Sequence, residues 1–223
     1  MLLAIDTSTT HTGLACYDEH GVLGECVWQS GRDHGSQLLP QLTLLLRHIG
    51  RAQTSISAVA VALGPGSWSG LRVGLSTAKG LALARGLPLV GIGTLDALAY
   101  QYERPGATTV PLIRLGRERY ASGGPPLPGQ GRIGLEPRNV TLAEIAAEVT
   151  GRALFCGDVD AEVQAVLRER LGERALFPAP AARLRRPAYL AELAWLRLQA
   201  GAADDLAALE PIYLGEPVRP RPS

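Results

Sequence analysis

AVAVALGPGSWSGLRVGL, from Ala58 to Leu75, combines a strand, a glycine-rich turn and the beginning of a helix. Its first part, Ala58–Leu63, is apolar and partly β-branched, which is typical of a buried strand. Apolar residues then recur at helical spacing along one face, at Leu71, Leu75, Ala78 and Ala82. The stretch therefore predicts a strand–turn–helix unit of an α/β fold.

The turn of this unit, Gly64–Ser67, has two alternative roles. Glycines permit a positive φ or a close backbone approach, and Pro65 fixes the bend between Gly64 and Gly66. A turn without large side chains at a helix N-terminus can hold an anion, or it can bring the helix close to a neighbouring surface. The turn is not a P-loop, because the required lysine is absent, and Ser69 stands where a dinucleotide-binding motif needs its third glycine.

The sequence around this unit predicts the remaining elements of one lobe. Strands are expected at Leu2–Ile5, Gly13–Tyr17, Val22–Trp28, Ala58–Leu63 and Pro88–Val90, and helices at His34–Ile49, Trp68–Ala84 and Thr94–Tyr102, with Thr94 as an N-cap. The order β-β-β-α-β-α-β-α begins with an antiparallel meander and ends with parallel crossovers. It is the ribonuclease-H-like order, the repeating lobe of the actin and sugar-kinase superfamily.

A second lobe is expected after this unit. The composition changes to Arg-Pro-Gly around Glu103–Thr108, which indicates a first lobe of residues 1–105 and a second, smaller or irregular lobe of residues 106–223. In that lobe, strands are predicted at Val110–Leu115, Arg117–Ser122 and Ala153–Cys156, and helices at Leu142–Val149, Ala161–Leu171 and Pro187–Ala200. Gly123–Gly131 is too rich in Gly and Pro for regular structure, and the tail Pro217–Ser223 is expected to be disordered.

Composition limits the kinds of partner and site. The chain of 223 residues is 46% hydrophobic, with a net charge of +1 and a pI near 7.8. A protein that binds RNA tightly on its own more often carries a strongly basic face, so a partner is expected to supply much of any nucleic-acid affinity. Three cysteines without CxxC spacing indicate neither a disulfide framework nor a zinc site. With no basic leader and no apolar run of about 18 residues, the cytoplasm is the expected location, without membrane contact.

The predicted first strand ends in Asp6-Thr7-Ser8. A carboxylate at a strand end, followed by hydroxyls and backbone amides, suits a hydrated Mg²⁺ ion or a phosphate. Asp and Thr in a tight turn can equally bond their own backbone, and both interpretations stay open. The four histidines give no helical metal-binding pair, and no Ser/His/Asp or Cys/His arrangement is recognisable. The residues alone identify no catalytic set and no metal site.

The predicted helix His34–Ile49 has a broad apolar face. The face exceeds one narrow stripe and consists of Leu38, Leu39, Leu42, Leu45, Leu46 and Ile49. It is either one wide core face or a core face with a second face for a partner helix. On the next helix, Lys79 lies on nearly the same face as Arg72 and is the only lysine of the chain, which indicates either a specific contact or a chance remnant.

Three motifs of the sequence resemble one protein family. They are AIDTSTTHTGLA (Ala4–Ala15), HGSQLLPQL (His34–Leu42) and GPGSWSGLRVGLSTAKGLA (Gly64–Ala82), in order and at the expected separations. In these residues the sequence resembles TsaB, also called YeaZ, a family that takes part in forming threonylcarbamoyladenosine (t6A) at position 37 of tRNAs that read ANN codons. The resemblance is specific over residues 1–100 and thin afterwards, although Pro211-Ile212-Tyr213-Leu214 is similar to the family's C-terminal Pro-Val-Tyr-Leu signature.

The resemblance implies a two-lobed actin-like fold and a non-catalytic subunit with no cofactor and no metal. Such a subunit is a paralogue of TsaD, the threonylcarbamoyltransferase. It pairs with TsaD through the two long first-lobe helices, the complex recruits the small ATPase TsaE, and a homodimer through the same helices can form when the chain is alone. Contact with tRNA is expected to be indirect, although the cluster of Arg183, Arg185 and Arg186 could meet it or remain a solvated patch.

The resemblance also assigns roles to particular residues of this sequence. The expected partner interface consists of Leu38, Leu39, Leu42, Leu46, Leu71, Arg72, Leu75 and Lys79. The remnant of a phosphate or cation turn consists of Asp6, Thr7, Ser8, Gly64, Gly66 and Ser67. No catalytic residue is implied.

Two departures from the family pattern concern these roles. Where the family's second lobe begins with an Asp-Ala-Arg strand, this sequence has Ile113-Arg114-Leu115, so the Asp is missing, and GGPPLPGQG follows where pairing strands are expected. Trp68-Ser69 replaces the more usual Phe-Thr and keeps an aromatic ring and a hydroxyl. The alternative function is an actin-superfamily ATPase, kinase or metal-dependent transferase that acts at the cleft beside Asp6 and Gly64. It predicts nucleotide binding by the isolated chain.

Overall fold

The computed structural model describes residues 1–31, 33–103, 105–123 and 136–214. Up to residue 103 the described residues form a first sheet and its helices, in the order that the sequence predicts. The strands are β1 (Leu2–Asp6), β2 (His11–Asp18), β3 (Gly21–Gln29), β4 (Ala58–Gly64) and β5 (Leu89–Gly93), and the helices are α1 (His34–His48), α2 (Trp68–Arg85) and α3 (Thr94–Gln101). The N-cap of α3 is Gly93, so Thr94 is the first helical residue and not the predicted cap.

The first sheet has the strand order β3-β2-β1-β4-β5. β1, β2 and β3 are antiparallel, whereas β4 pairs parallel to both β1 and β5. The turn from β2 to β3 is tight because Gly21 adopts a φ of +109° and the Asp18 carboxylate accepts the N–H of His20 at 2.9 Å. Because β1 and β4 are parallel neighbours, their C-terminal ends lie side by side.

Helices cover both faces of the first sheet. Leu3 and Ile5 of β1 pack towards α1 and α2, which contribute Leu38, Leu42, Leu45, Leu46, Leu75, Ala78 and Ala82 to that core. Leu2 and Ala4 point to the opposite face, where α6 (Pro187–Gln199) packs with Leu190, Ala191, Leu193 and Ala194. Each fully buried leucine contributes about 1.5–3 kcal/mol by leaving water. α6 follows the second sheet in the chain, so the first lobe is completed by a segment from the expected second lobe.

The second sheet repeats the topology of the first. Its elements are β6 (Thr108–Gly116), β7 (Arg119–Gly123), β8 (Pro137–Val140), α4 (Leu142–Glu148), β9 (Ala153–Gly157), α5 (Ala161–Leu171) and β10 (Ala175–Leu176). The strand order β10-β9-β6-β7-β8 is again an antiparallel meander joined to parallel strands. The edge strands β8 and β10 are short, in keeping with a reduced second lobe. The two-lobed α/β fold of the actin type is thereby confirmed.

The pairing strands that the sequence seemed to lack are present, because β7 and β8 pair on either side of residues 124–135. Gly123 is the last residue of β7 and so does not belong to an irregular segment. The rest of the predicted irregular stretch, residues 124–131, lies outside the described residues. The same is true of the tail, residues 217–223.

Contacts of α3 and of the segment before α6 join the lobes. Leu95 and Leu98 of α3 pack against residues of the second sheet: Ile113, Ala121 and Cys156. The segment between β10 and α6 returns across the lobes, and the Tyr102 hydroxyl donates a hydrogen bond to the carbonyl of Ala182 in that segment. Burial raises the pKa of Tyr102 to about 12, so this hydroxyl keeps its proton for the bond. In the part of the chain that the structure describes, no helix is long and apolar enough to span a membrane.

Candidate functional site

The turn between β1 and β2 folds back on its own carboxylate. Oδ1 of Asp6 accepts hydrogen bonds from the backbone N–H of Ser8 at 2.9 Å and from the Ser8 hydroxyl at 2.5 Å. Both residues and Thr7 between them are buried. This geometry is that of an Asx turn, the simpler of the two interpretations that the sequence allowed.

Glycines of α2 and of the preceding turn lie directly against the β1–β2 turn. A Cβ at Gly66 would lie 2.2 Å from the carbonyl oxygen of Ser8, and one at Gly70 would lie 2.1 Å from that of Thr7. One turn further along, a Cβ at Gly74 would lie 2.3 Å from the Thr7 hydroxyl. No Cβ fits at such distances. These three positions therefore need glycine, so that the helix can lie against the β1–β2 turn.

Two short hydrogen bonds hold this approach. The Thr7 hydroxyl donates to the carbonyl of Gly70 at 2.7 Å, and the N–H of Ser67 donates to the carbonyl of Ser8 at 2.7 Å. The Ser67 hydroxyl, at the N-cap of α2, accepts the N–H of Gly70 at 3.3 Å. The six predicted remnant residues are therefore close together, and several of their polar groups bond to one another.

Gly64 has a different role in this site. Its φ of +104° lies in the region that side chains rarely adopt, and a Cβ would meet the carbonyl oxygen of Ile212 at 2.8 Å. The N–H of Ile212 in turn donates to the carbonyl of Leu63 at 2.7 Å. Gly64 thus gives the segment after α6 room to lie along the end of β4.

Arg185 reaches the turn from the segment before α6. Its Nη1 donates to the Ser8 hydroxyl at 2.7 Å. The other two arginines of the cluster have partners of their own: Arg186 pairs with Glu25 at 2.6 Å, and Arg183 donates to the carbonyl of Pro178 at 3.1 Å. The predicted basic cluster is therefore three arginines with separate intramolecular contacts. The contact of Arg185 was missed, because nothing local in the sequence relates positions 8 and 185.

Three buried polar side chains meet at the start of α1. Nδ1 of His34 lies 2.7 Å from the Thr12 hydroxyl and 2.9 Å from the Ser30 hydroxyl, and these two hydroxyls are 2.8 Å apart. Burial lowers the pKa of His34, against the opposing effect of Asp6 and Asp33, so the neutral ring is favoured. The cluster ties the first turn of α1 to β2 and β3. The spacing of Ser30 and His34, four residues apart, was the one signal for it in the sequence.

The second lobe supplies a carboxylate near the position of the missing Asp. Oδ2 of Asp158, which follows β9, accepts the backbone N–H of Arg114 at 2.8 Å. The Arg114 side chain pairs with Asp160 at 2.6 Å and lies over the ring of Tyr120. These groups bond to each other across β6 and β9. Among the described residues, no group of three or more His, Cys, Asp or Glu side chains is placed to hold a metal ion.

Most of the predicted interface residues face the core of the chain itself. Five of the leucines are buried in this chain, namely Leu38, Leu42, Leu46, Leu71 and Leu75. Their side chains pack inside this chain. Leu39 and Arg72 are exposed, and the half-buried Lys79 lies 3.5 Å from the carbonyl oxygen of Ala207.

Other leucines of α1 and α2 do reach the surface. The exposed fraction is 50% for Leu39, 41% for Leu44 and 73% for Leu83. α1 and α2 lie side by side on the same face of the sheet. A helical pair with exposed leucines suits a helix-on-helix contact with another protein.

Comparison with known proteins relates this geometry to a family. A family model described as "TsaD: tRNA N6-adenosine threonylcarbamoyltransferase" matches residues 21–119. The tRNA threonylcarbamoyladenosine biosynthesis protein TsaB of Bacillus subtilis (strain 168) is 29% identical over 221 residues, or 96% of this chain and 93% of that protein. The protein of the same name from Escherichia coli (strain K12) is 36% identical over 110 residues, or 49% of this chain, and the match spans 47% of its own length.

A solved structure agrees along the whole fold. YeaZ from Pseudomonas aeruginosa has a TM-score of 0.76 to this chain at 24% sequence identity, covering 96% of this chain and 99% of that one. This likeness concerns the fold alone. Taken together with the relative from Bacillus subtilis, the comparisons confirm the resemblance to TsaB (YeaZ) that the three sequence motifs indicate.

Proposed function

From the premise that the chain is a TsaB-like protein, we propose that it is an accessory subunit required to form t6A at position 37 of tRNAs that read ANN codons. One observation carries the proposal: the similarity to a protein named for t6A biosynthesis, which extends over 93% of that protein. The proposed role is to bind and activate a TsaD-like transferase. The TsaD-like match of residues 21–119 supports a pairing of related lobes.

The geometry of the β1–β2 turn supports a role without chemistry of its own. In an actin-type enzyme the space between the β1–β2 turn and the start of α2 would have to hold phosphates. Here the glycines of α2 press against Thr7 and Ser8, and Arg185 bonds to the Ser8 hydroxyl. The Asp6 carboxylate accepts bonds from Ser8, next to the same turn. An accessory subunit needs the helix that this packing supports, and it does not need an open cleft.

We place the partner contact on the exposed side of α1 and α2, at Leu39, Leu44 and Leu83. The buried leucines beneath them act indirectly by fixing both helices on the sheet. A TsaE-like ATPase would join the complex of this chain with the transferase, and the same helical surface would allow a homodimer when the transferase is absent. The proposed location is the cytoplasm, where tRNA is modified.

The experiment is a reconstitution with the TsaD-like and TsaE-like proteins of the same organism. Modified tRNA is measured by nucleoside mass spectrometry, and complex formation is measured by light scattering after gel filtration. The double substitution Leu39→Glu and Leu83→Glu is expected to abolish both the complex and t6A formation. Leu196→Glu, on α6, is the matched control, because Leu196 is 51% exposed on another helix.

Two results would contradict the proposal. Formation of t6A at the same rate without this chain would remove the accessory role. Stoichiometric binding of ATP–Mg²⁺ by the isolated chain, lost on Asp6→Ala, would favour the alternative of an ATPase or kinase. A double variant that still binds the transferase would show that the contact lies elsewhere on the chain.

A further inference from the structure

Two exposed aromatic rings lie next to each other at the beginning of α2. Trp68 is 58% exposed and Tyr213 is 43% exposed, and their ring centroids are 6.4 Å apart with an angle of 35° between the planes. The guanidinium of Arg72 lies over the Trp68 ring, 3.8 Å from its centroid. We name this group the aromatic patch. Two large rings exposed together on one surface favour a binding role.

The fold itself places Tyr213 against Trp68. The segment after α6 is attached to the edge strand β5 through Asp204, whose carboxylate accepts the N–H of Gly91 at 2.7 Å and pairs with Arg197 at 2.9 Å. Leu206 and Leu209 of the segment pack against the core under α1 and α2, and Ile212 bonds to the end of β4. Tyr213 therefore follows a well-anchored backbone. The two rings are held near each other before any ligand arrives.

The guanidinium of Arg72 has no acidic partner among the described residues. Five other arginines of the described parts of the chain form ion pairs, and Arg72 does not. Stacking on Trp68 leaves the N–H donors of Arg72 free at the edge of the guanidinium plane, where they can meet phosphate oxygens. Arg185 is different, because the Ser8 hydroxyl that it bonds to also donates to the Asp6 carboxylate. The charge of Arg72 is the one complementary to an anionic strand.

The patch is separate from Leu83, the leucine of the proposed protein contact that lies on α2. Trp68 begins α2, whereas Leu83 lies near its end, about 22 Å away along the helix at 1.5 Å per residue. The two surfaces also differ in chemistry, since one is aliphatic and the other aromatic and cationic. A nucleotide has a flat base for the aromatic rings and a phosphate for the guanidinium. Neighbouring aromatic rings and arginines are the combination that single-stranded nucleic acids need.

We propose that the aromatic patch is a stacking site for an unpaired base of RNA, with Arg72 contacting the adjacent phosphate. The proposal rests on the proposed function, which brings the anticodon loop of a tRNA to the complex, and it adds a direct contact between that RNA and this chain. One base stacks on the Trp68–Tyr213 pair.

The test measures binding of a fluorescein-labelled anticodon stem-loop RNA by anisotropy, for the full chain and for its complex with the TsaD-like protein. Trp68→Leu and Tyr213→Leu are each expected to weaken binding about tenfold, as loss of a stacked base does. Arg72→Gln is expected to weaken binding. It should also reduce the slope of the logarithm of the affinity against the logarithm of the salt concentration by about 1, as the loss of one phosphate contact does. Leu196→Ala and Arg47→Gln, both at exposed positions, are the apolar and the charge controls and should bind like the wild type.

A second readout separates stacking from a general loss of charge. Binding of the stem-loop should quench tryptophan fluorescence in the wild-type chain, and Trp68→Leu should remove this quenching. A blunt RNA duplex of equal length should bind more weakly and quench less, because its bases are already stacked.

Three outcomes would overturn the stacking site. The first is unchanged RNA affinity in Trp68→Leu and Tyr213→Leu. The second is loss of transferase binding in those variants, which would make the patch part of the protein interface. The third is no binding of the stem-loop by either the chain or its complex. In each case the proposed function is judged separately, by t6A formation in the reconstitution.

Discussion

Replacing Gly70 with alanine is expected to separate α2 from the β1–β2 turn. The added Cβ would lie 2.1 Å from the carbonyl oxygen of Thr7, whereas ordinary contacts of a Cβ begin near 3.4 Å. The two backbones must therefore move apart by about 1.3 Å, the difference between those distances. This movement stretches two hydrogen bonds of 2.7 Å, from the Thr7 hydroxyl to Gly70 and from the Ser67 N–H to Ser8.

The expected cost follows from three contributions. Overpacking at a site that cannot give way costs about 1–3 kcal/mol. The two stretched hydrogen bonds are worth about 1 kcal/mol each. The higher helix propensity of alanine offsets about 1 kcal/mol of this loss in stability. The net loss in the free energy of unfolding is about 2–4 kcal/mol, which lowers the Tm of a chain of this size by about 5–15 °C.

Gly80 of the same helix is the matched control, because a Cβ there would have no neighbouring atom within 4 Å. Gly80→Ala should stabilise the chain by about 1 kcal/mol through helix propensity alone. Urea unfolding followed by circular dichroism, together with thermal melting, measures both variants. If Gly70→Ala were as stable as the wild type, or shifted in the same direction as Gly80→Ala, the close-packing role of these glycines would be refuted.

Two further predictions concern a titrating side chain and an anchor. Burial lowers the pKa of His34 below the ordinary value of 6.5, so the unfolded chain binds a proton at this residue more readily than the folded chain does. The contribution of His34 to the free energy of unfolding should therefore be fully present above pH 6.5 and should decrease as the pH falls below it. In urea titrations at several pH values, His34→Gln should flatten this dependence. Asp204→Ala leaves the N–H of Gly91 without its partner and removes the ion pair of Arg197, which keeps its bond to the carbonyl of Gly91; the change should cost about 1–3 kcal/mol. Thermal melting checks this cost, and an unchanged Tm would mean that the leucines and the backbone hydrogen bonds of the segment anchor it without this carboxylate.

The first lobe could be predicted from its sequence because its signals are local. The apolar run Ala58–Leu63 and the leucine spacing of α1 each follow from neighbouring residues, and the structure has both elements within a residue or so of the expected bounds. In the second lobe, β8 escaped prediction because Pro137–Val140 is short and half-exposed and lacks an apolar pattern. Strands of this kind are defined by their partner, here β7.

The candidate site was predictable only in part. Asp6 and Gly66 were selected from their turns, and the turns do meet, because strand order brings the ends of β1 and β4 together. Which leucines of α1 face the sheet could not be read from a stripe that wide, and five of the predicted contact residues proved to be core. Arg185 and Tyr213 reach the site from far along the chain, and the spacing of apolar residues along a sequence does not predict contacts of this kind.

The position of α6 has a consequence for synthesis on the ribosome. The face of the first sheet that carries Leu2 and Ala4 is covered by a helix that ends only at Gln199, long after α3 is complete at Gln101. At about 5–20 residues per second, the nascent chain carries that apolar face uncovered for about 5–20 s. The half-built sheet therefore needs shielding for longest where synthesis is slow, and an early stop before Pro187 would release a fragment prone to aggregation.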